Sequence, residues 1–160
     1  MSDIAASGKP RTRSGFVALI GAPNAGKSTL VNRLVGAKVS IVTHKVQTTR
    51  ALIRGIATVG ATQMVLVDTP GIFRPKRRLD RAMVTTAWGG AHDADVILVL
   101  IDAAAGLNED AEAILDKVKD ARKPKVLVLN KVDRIEREKL LGLAAEANAR
   151  APFEATFMVS

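Results

Sequence analysis

Residues 21–28 read G-A-P-N-A-G-K-S and match the pattern G-x-x-x-x-G-K-[ST], which is typical of loops that bind the phosphates of a nucleotide. Small residues in such a loop let successive backbone N–H groups turn toward a polyphosphate, and the following helix N-terminus adds a favourable dipole. We expect Lys27 to reach the β- and γ-phosphates and Ser28 to offer its hydroxyl to a bridging Mg²⁺ ion. The alternative is a glycine-rich turn that binds no ligand. The predicted loop residues are Gly21, Ala22, Pro23, Asn24, Ala25, Gly26, Lys27, Ser28 and Thr29.

A second candidate site begins at Asp68, directly after the strand-like run 63–67. A carboxylate at this place suits a Mg²⁺ ion, usually held through water, and a glycine three residues later can bring its N–H against a γ-phosphate. The string D-x-x-G is also an ordinary turn, but its position after the third strand of a phosphate-loop chain favours the functional interpretation. The predicted residues are Asp68, Thr69, Pro70 and Gly71.

A third motif, Asn130-Lys131-Val132-Asp133, follows the apolar run 126–129 and predicts the choice of base. The Asp133 carboxylate can accept hydrogen bonds from N1–H and the N2 amino group of guanine, whereas adenine offers neither donor. A site built on such bonds discriminates by about 10⁴ to 10⁵, because the wrong base leaves a buried carboxylate unpaired. We expect Asn130 to bond the base edge and tie its loop to the phosphate loop, and the Lys131 stem to lie over the base. The predicted nucleotide is therefore GTP or GDP.

Strands that alternate with helices must position these motifs. The residue pattern predicts six strands, at 16–20, 51–59, 63–67, 96–101, 126–129 and 153–159, and four helices, at 28–35, 81–91, 110–121 and 136–149. Most of the strands are continuously apolar and require a sheet covered on both faces, which predicts a doubly wound α/β fold. The second and third strands are separated by three residues and predict an antiparallel hairpin. All three motifs follow strand C-termini, where such folds bind ligands.

Two predictions concern packing. Trp88 is expected to pack against the core rather than to act in a site. The helix 136–149 is expected to turn four apolar side chains inward, namely those of Leu140, Leu141, Ala144 and Ala147.

The composition describes a basic, cysteine-free chain. Its 160 residues, 48% of them hydrophobic, suit one packed domain, and no apolar run reaches the roughly 18 residues of a membrane helix, so we expect a soluble protein. With no cysteine and two histidines, a disulfide framework and a cysteine-ligated zinc are excluded, and a histidine-rich metal site is not favoured. The net charge of +8 favours polyanionic partners such as RNA or an anionic membrane surface. Residues 1–14 predict a flexible basic arm ahead of a nucleotide-binding domain at 15–160.

Taken together, the motifs and their order resemble the translation-factor class of small GTPases and, in detail, the Era family of bacterial GTPases. The resemblance covers about residues 14–160 and rests on the strings GAPNAGKSTL at 21–30, QTTR at 47–50, DTPGI at 68–72, NKVD at 130–133 and FMVS at 157–160. It implies a P-loop NTPase fold of the Ras-like GTPase type, with a mostly parallel six-stranded sheet, one antiparallel strand and helices on both faces.

The resemblance also implies two switch segments, at about 39–50 and 71–80. In the first, Thr49, or as second choice Thr48, would be the Mg²⁺ ligand that senses the γ-phosphate. Ser160 would begin the Ser-Ala loop that contacts guanine. The implied catalytic residues are Lys27, Asn24, Thr49 and Gly71, and the implied metal ligands are Ser28, Thr49 and Asp68.

Ile72 departs from the Ras-like pattern, which has at this position the glutamine that orients the attacking water. An isoleucine cannot take that role. In related GTPases the equivalent of Asn24 helps hold a K⁺ ion at the phosphates, where the ion acts as an arginine finger does, so K⁺ is expected as a further cofactor. The alternative for Asn24 is a polar loop residue that bonds only to local backbone.

The function that the resemblance implies is a GTP-hydrolysing switch in the maturation of 16S rRNA and the 30S subunit. It would act in the cytoplasm, with peripheral contact at the inner membrane and no DNA partner. Era proteins bind rRNA through a C-terminal KH domain, which is not among these 160 residues, so the chain is expected to be part of a longer protein. Two alternatives stay open: the GTPase domain of a tRNA-modification or ribosome-assembly GTPase, and a nucleotide-gated binding module with negligible hydrolysis.

Overall fold

The computed structural model describes residues 11–36, 52–68, 85, 88–89 and 91–160, with the backbone alone at 52–54 and 68. The described residues contain the whole phosphate loop and the whole guanine motif. Most of the predicted basic arm and both predicted switch segments lie outside them.

Within the described part of the chain, six strands form one sheet. The strands are β1 (Arg13–Gly21), β2 (Leu52–Val59), β3 (Thr62–Asp68), β4 (Val96–Asp102), β5 (Lys125–Asn130) and β6 (Ala155–Met158). Their order is β2-β3-β1-β4-β5-β6; β2 runs antiparallel to β3, and the other neighbours are parallel. The predicted sheet, with one antiparallel hairpin, is confirmed, although β6 is shorter than the predicted run 153–159.

Helices lie between successive strands, and three of them have both ends within the described residues. They are α1 (Lys27–Val35), α2 (Glu109–Val118) and α3 (Arg137–Arg150), and a 3₁₀ turn covers Val132–Arg134. α2 begins where the Asn108 side chain accepts a hydrogen bond from the Ala111 N–H at 3.0 Å, and acidic residues in its first turn complement the helix dipole. Among the residues described, no helix has the length and apolar character needed to cross a membrane.

The side chains of β1 alternate between two cores, so the sheet is covered on both faces. Ala18 and Ile20 belong to the core that α2 and α3 cover, whereas Leu19 packs on the opposite face with Val31 of α1. This arrangement agrees with the predicted doubly wound fold, because continuously apolar strands need cover on both sides.

The two packing predictions have different outcomes. Trp88 packs against the core under α2 and α3, as predicted, and the Lys117 ammonium lies 5.1 Å from the centre of its ring. The prediction for Leu141 is wrong, since this side chain is 56% exposed and Leu143 is buried instead. The buried stripe of α3 follows Leu140, Leu143 and Ala147, and Leu141 lies about 100° around the helix from Leu140.

Replacing a buried leucine with alanine should lower the free energy of unfolding much more than the same replacement at an exposed leucine. Leu115 is fully buried, so Leu115→Ala should lower the free energy of unfolding by about 2–5 kcal/mol through lost burial and a residual cavity. Leu141→Ala should change it by at most about 0.5 kcal/mol, because the side chain already faces water. Urea unfolding followed by circular dichroism measures both. Equal losses in the two variants would contradict the assignment of buried faces.

Candidate functional site

The phosphate loop, residues 22–26, connects the end of β1 to the start of α1. Two of its residues have left-handed backbones, Asn24 with φ +64° and Gly26 with φ +100°. Gly21, the last residue of β1, packs so closely on β4 that a Cβ would lie 2.8 Å from the carbonyl oxygen of Leu100. The two glycines of the pattern therefore meet physical requirements, a close backbone approach at one end of the loop and a left-handed turn at the other.

Lys27 is the first residue of α1 and is only 8% exposed. Its Nζ donates to the carbonyl oxygens of Gly21 and Ala22, both at 3.0 Å. A buried ammonium needs such partners, and these bonds hold the charge against the loop. Ser28 and Thr29 follow with exposed side chains. The first turn of α1, directly after the loop, thus combines a buried cation with exposed hydroxyl groups, an arrangement that favours bound anions.

Asn130, the last residue of β5, joins the guanine motif to the phosphate loop. Its Nδ2 donates to the carbonyl oxygen of Ala25 at 3.0 Å, and its Oδ1 accepts from the backbone N–H of Lys131 at 2.8 Å. A Cβ on Gly26 would lie 2.2 Å from the same Nδ2. The bond between the loops therefore depends on glycine at position 26. The predicted tie between the two loops is present in the structure, and the predicted contact of Asn130 with a base stays a prediction.

The side chain of Lys131, in the guanine motif, contacts the phosphate loop and the end of β4. Its backbone is left-handed, with φ +60°. Its Nζ donates to the carbonyl oxygen of Asn24 at 2.9 Å and to Oδ2 of Asp102 at 2.7 Å. One ammonium group, on the residue that follows β5, therefore bonds both the end of β4 and the phosphate loop.

Asp102 is a member of this site that the sequence motifs did not indicate. It ends β4, and its Oδ1 accepts from the N–H groups of Ala104 at 2.9 Å and Ala105 at 3.3 Å. Burial raises the pKa of the carboxyl group, but the hydrogen bond and charge of Lys131 and the two N–H bonds outweigh it and hold the pKa below its ordinary value. The group is therefore a carboxylate at neutral pH. Its signal in the sequence is an acidic residue directly after the apolar run 96–101, just as Asp68 follows the strand-like run 63–67.

Asp133 and Ser160 lie at the same edge of the sheet. Asp133 is in the 3₁₀ turn Val132–Arg134, with an exposed side chain. The N–H of Val132 donates to the carbonyl oxygen of Val159 at 3.3 Å, so the chain after β6 runs beside the guanine motif and brings Ser160 next to it. The exposed carboxylate of Asp133 is open to a ligand from solvent.

The remaining predicted residues lie partly or wholly outside the described part of the chain. The backbone of Asp68 ends β3 and is the register partner of Leu19 in β1, two residues before Gly21, the last residue of that strand. Five predicted residues lie outside the described part of the chain, namely Thr48, Thr49, Thr69, Pro70 and Gly71. Ile72, whose departure from the Ras-like pattern raised the K⁺ hypothesis, lies outside it as well.

The sequence is similar to those of known GTPases. A family model described as 50S ribosome-binding GTPase matches residues 16–131. The protein called GTPase Era in Mesorhizobium japonicum is 69% identical over 160 residues, which is 100% of this chain and 52% of that protein. GTPase Era of Brucella melitensis is 75% identical over 150 residues, or 94% of this chain and 48% of that protein. The chain thus spans about half the length of the curated relatives it matches.

The solved structures to which the chain is similar include two of Era. Era in complex with MgGDPNP and nucleotides 1506–1542 of 16S ribosomal RNA matches with a TM-score of 0.78 and 38% identity, over 94% of this chain and 52% of that one. A variant of Aquifex aeolicus Era bound to GDP.AlF4- matches with a TM-score of 0.75 and 38% identity, over 93% of this chain and 52% of that one.

Alanine substitutions at two glycines with left-handed backbone should show how much the hydrogen bond between the two loops contributes to the free energy of unfolding. Gly106 has φ +68° with no atom within 4 Å of a Cβ, so Gly106→Ala should cost only backbone strain, about 1–2 kcal/mol. Gly26→Ala adds a Cβ that must displace the Asn130 amide, and should cost about 1 kcal/mol more because the bond to Ala25 is lost. Urea unfolding compares the two variants. A smaller loss for Gly26→Ala than for Gly106→Ala would contradict the structural role given to this contact.

Proposed function

We propose a nucleotide-switch function for this chain, which belongs to the 50S ribosome-binding GTPase family and, within it, to the Era GTPases. In this proposal the chain binds GTP or GDP across the phosphate loop and the guanine motif, and hydrolyses GTP in the presence of Mg²⁺. The single observation that carries it is the direct bond between the two loops, from Asn130 Nδ2 to the Ala25 carbonyl oxygen at 3.0 Å.

This bond matters because a nucleotide has its base and its phosphates at a set separation. A protein recognises both ends at low cost when the two binding loops already have the matching separation. Here Asn130 and Lys131 each contact the phosphate loop through a different carbonyl group, those of Ala25 and Asn24. The geometry therefore supports one ligand that contacts both loops.

The phosphate end would be bound by Lys27 and by the backbone N–H groups of the loop. The ammonium of Lys27, now bonded to two carbonyl oxygens, would exchange them for oxygens of the β- and γ-phosphates. Within the described residues no three acidic or histidine side chains are grouped so that they could hold a metal ion. This suits Mg²⁺, which commonly takes most of its ligands from phosphates and water.

Three residues would complete the Mg²⁺ shell, namely Ser28, Thr49 and Asp68. The hydroxyl of Ser28 is exposed in the first turn of α1, next to Lys27, and is a hard oxygen donor of the kind that Mg²⁺ prefers. When bound, the ion supplies positive charge that neutralises the phosphate oxygens. The roles of Thr49 and Asp68 rest on the sequence motifs.

The biological role that we propose is the timing of 16S rRNA maturation and assembly of the 30S subunit in the cytoplasm. It is supported by the similarity to Era, one structure of which holds 16S ribosomal RNA nucleotides. In a full-length protein a C-terminal KH domain would make the RNA contact, and the positive net charge of +8 would favour RNA or the inner membrane surface. We propose no DNA partner. The identity to Era proteins favours this role over that of a tRNA-modification GTPase.

The base assignment can be tested by Asp133→Asn. An amide cannot accept from both N1–H and the N2 amino group of guanine, so affinity for GDP should fall by about 10²-fold or more. Xanthosine diphosphate, which has an oxygen at C2, should bind the variant better than GDP does. Titration calorimetry with both nucleotides gives the two affinities.

The matched control is Asp116→Asn, which makes the same change at an exposed position of α2. It should leave both affinities unchanged. Equal GDP affinity in Asp133→Asn and in the parent chain would contradict the role of Asp133 as the base selector.

We also propose that Asn24 helps hold K⁺ beside the phosphates and that this ion partly replaces the missing glutamine. Asn24 is exposed at the tip of the phosphate loop, and its left-handed backbone, φ +64°, is one that glycine adopts without strain. GTP hydrolysis should be about tenfold or more faster in K⁺ than in Na⁺ at equal ionic strength, because charge at the phosphates is better neutralised. Asn24→Gly should lose most of this difference and keep its GDP affinity.

Release of phosphate over time, with the nucleotide in excess, measures this effect. Equal rates in K⁺ and Na⁺ for the parent chain would contradict the K⁺ proposal. No release in either salt, with intact GTP binding, would favour the nucleotide-gated binding module instead.

A further inference from the structure

Asp102 lies outside the three nucleotide motifs, yet its carboxylate is bonded to one of them. It ends β4, where it is the register partner of Asn130 at the end of β5. Its Oδ2 lies 2.7 Å from Nζ of Lys131, and the two side chains are 22% and 28% exposed. A charge-assisted hydrogen bond of this length and partial burial is stronger than an ion pair in open solvent.

The carboxylate is itself held in place. Oδ1 accepts from Ala104 and Ala105, which leaves Oδ2 for the ammonium group. The backbone around it is tied as well, by a bond from the Gly106 N–H to the Asp102 carbonyl oxygen at 3.1 Å and one from the Ala103 N–H to the Asn130 carbonyl oxygen at 2.8 Å. The negative charge is thus pre-positioned toward Lys131.

Lys131 needs such a partner. Lysine has a long side chain with several rotatable bonds, and here it extends from a left-handed backbone at φ +60°. A carbonyl oxygen, that of Asn24, bonds its ammonium on one side, and Asp102 supplies the compensating charge on the other. Without that charge the ammonium would gain by turning toward water and would leave its position between Asp102 and the phosphate loop.

We propose that Asp102 is a positioning residue for the nucleotide: its carboxylate holds Lys131 against the phosphate loop and thereby slows nucleotide release. The proposal rests on the guanine-nucleotide function proposed above, in which the Lys131 stem covers one face of the base. Loss of the charge should act on the dissociation rate more than on the association rate, because it loosens a contact made after binding.

The test uses Asp102→Asn. The single oxygen of the amide cannot accept hydrogen bonds both from the N–H groups of Ala104 and Ala105, here called the 104–105 turn, and from Lys131. Release of GDP carrying a fluorescent ribose label should become about five- to tenfold faster, as expected for loss of a partly exposed charge-assisted bond. The matched control is Glu112→Gln, which removes the charge of another partly exposed pair, with Arg150 at 2.9 Å, between α2 and α3. This control should release GDP at the parental rate.

A double-mutant cycle with Lys131→Met separates positioning from a structural effect. If Asp102 acts through Lys131, Asp102→Asn should add nothing to the release rate in the Lys131→Met background. The preference for GDP over inosine diphosphate should stay at the parental ratio in Asp102→Asn, because Asp133 contacts the N2 amino group that distinguishes them.

Two results would overturn the proposal. Parental GDP release in Asp102→Asn would show that the charge has no influence on the nucleotide, and equal acceleration with and without Lys131 would show that Asp102 acts through the 104–105 turn. A parent chain that binds no labelled GDP at all would overturn the proposed function itself, and with it this inference. The parental binding measurement therefore distinguishes the two failures.

Discussion

The hydrogen bond from the Asn130 amide to the Ala25 carbonyl oxygen is the contact on which the arrangement of this site depends. It joins residues 105 positions apart in the sequence, and a Cβ on residue 26 would clash with the amide in its bonded position. Gly26, the second glycine of the phosphate-loop pattern, therefore has two functions here. It supplies a backbone at φ +100° for the turn into α1, and it leaves room for the side chain that ties the guanine motif to the loop.

The order of strands explains how the other partners reach this contact. β1, β4 and β5 are neighbours in the sheet and run parallel, so their C-terminal ends meet at one edge. The register places Gly21 beside Leu100 and Asp102 beside Asn130. Asp102 is consequently one strand away from the guanine motif, and Lys131 can reach its carboxylate and the phosphate loop with one side chain.

Much of the fold and part of the site could be predicted from the sequence, for different physical reasons. The buried strands were predictable because both faces of the sheet are covered, which makes β4 and β5 continuously apolar. Leu141 was misplaced because leucines at 140, 141 and 143 allow more than one helical stripe, and only the packing of α3 selects Leu143. Asp102 was missed because a lone acidic residue after a strand is common. Its function depends on a contact with a residue 29 positions later, which no local pattern encodes.

The backbone of the site shows why these contacts belong together. Asn24 and Lys131 are the non-glycine residues with positive φ among those that the structure describes, and the Nζ of one bonds to the carbonyl oxygen of the other. Left-handed backbone costs about 1–3 kcal/mol at each such residue, so it persists only where the surroundings hold it. Asn130, Asp102 and the phosphate loop provide that support through bonds to Lys131. Because these bonds hold the left-handed backbone in place, the phosphate loop and the guanine motif have a fixed arrangement, and a fixed arrangement lowers the ordering cost of binding a nucleotide at this edge of the sheet.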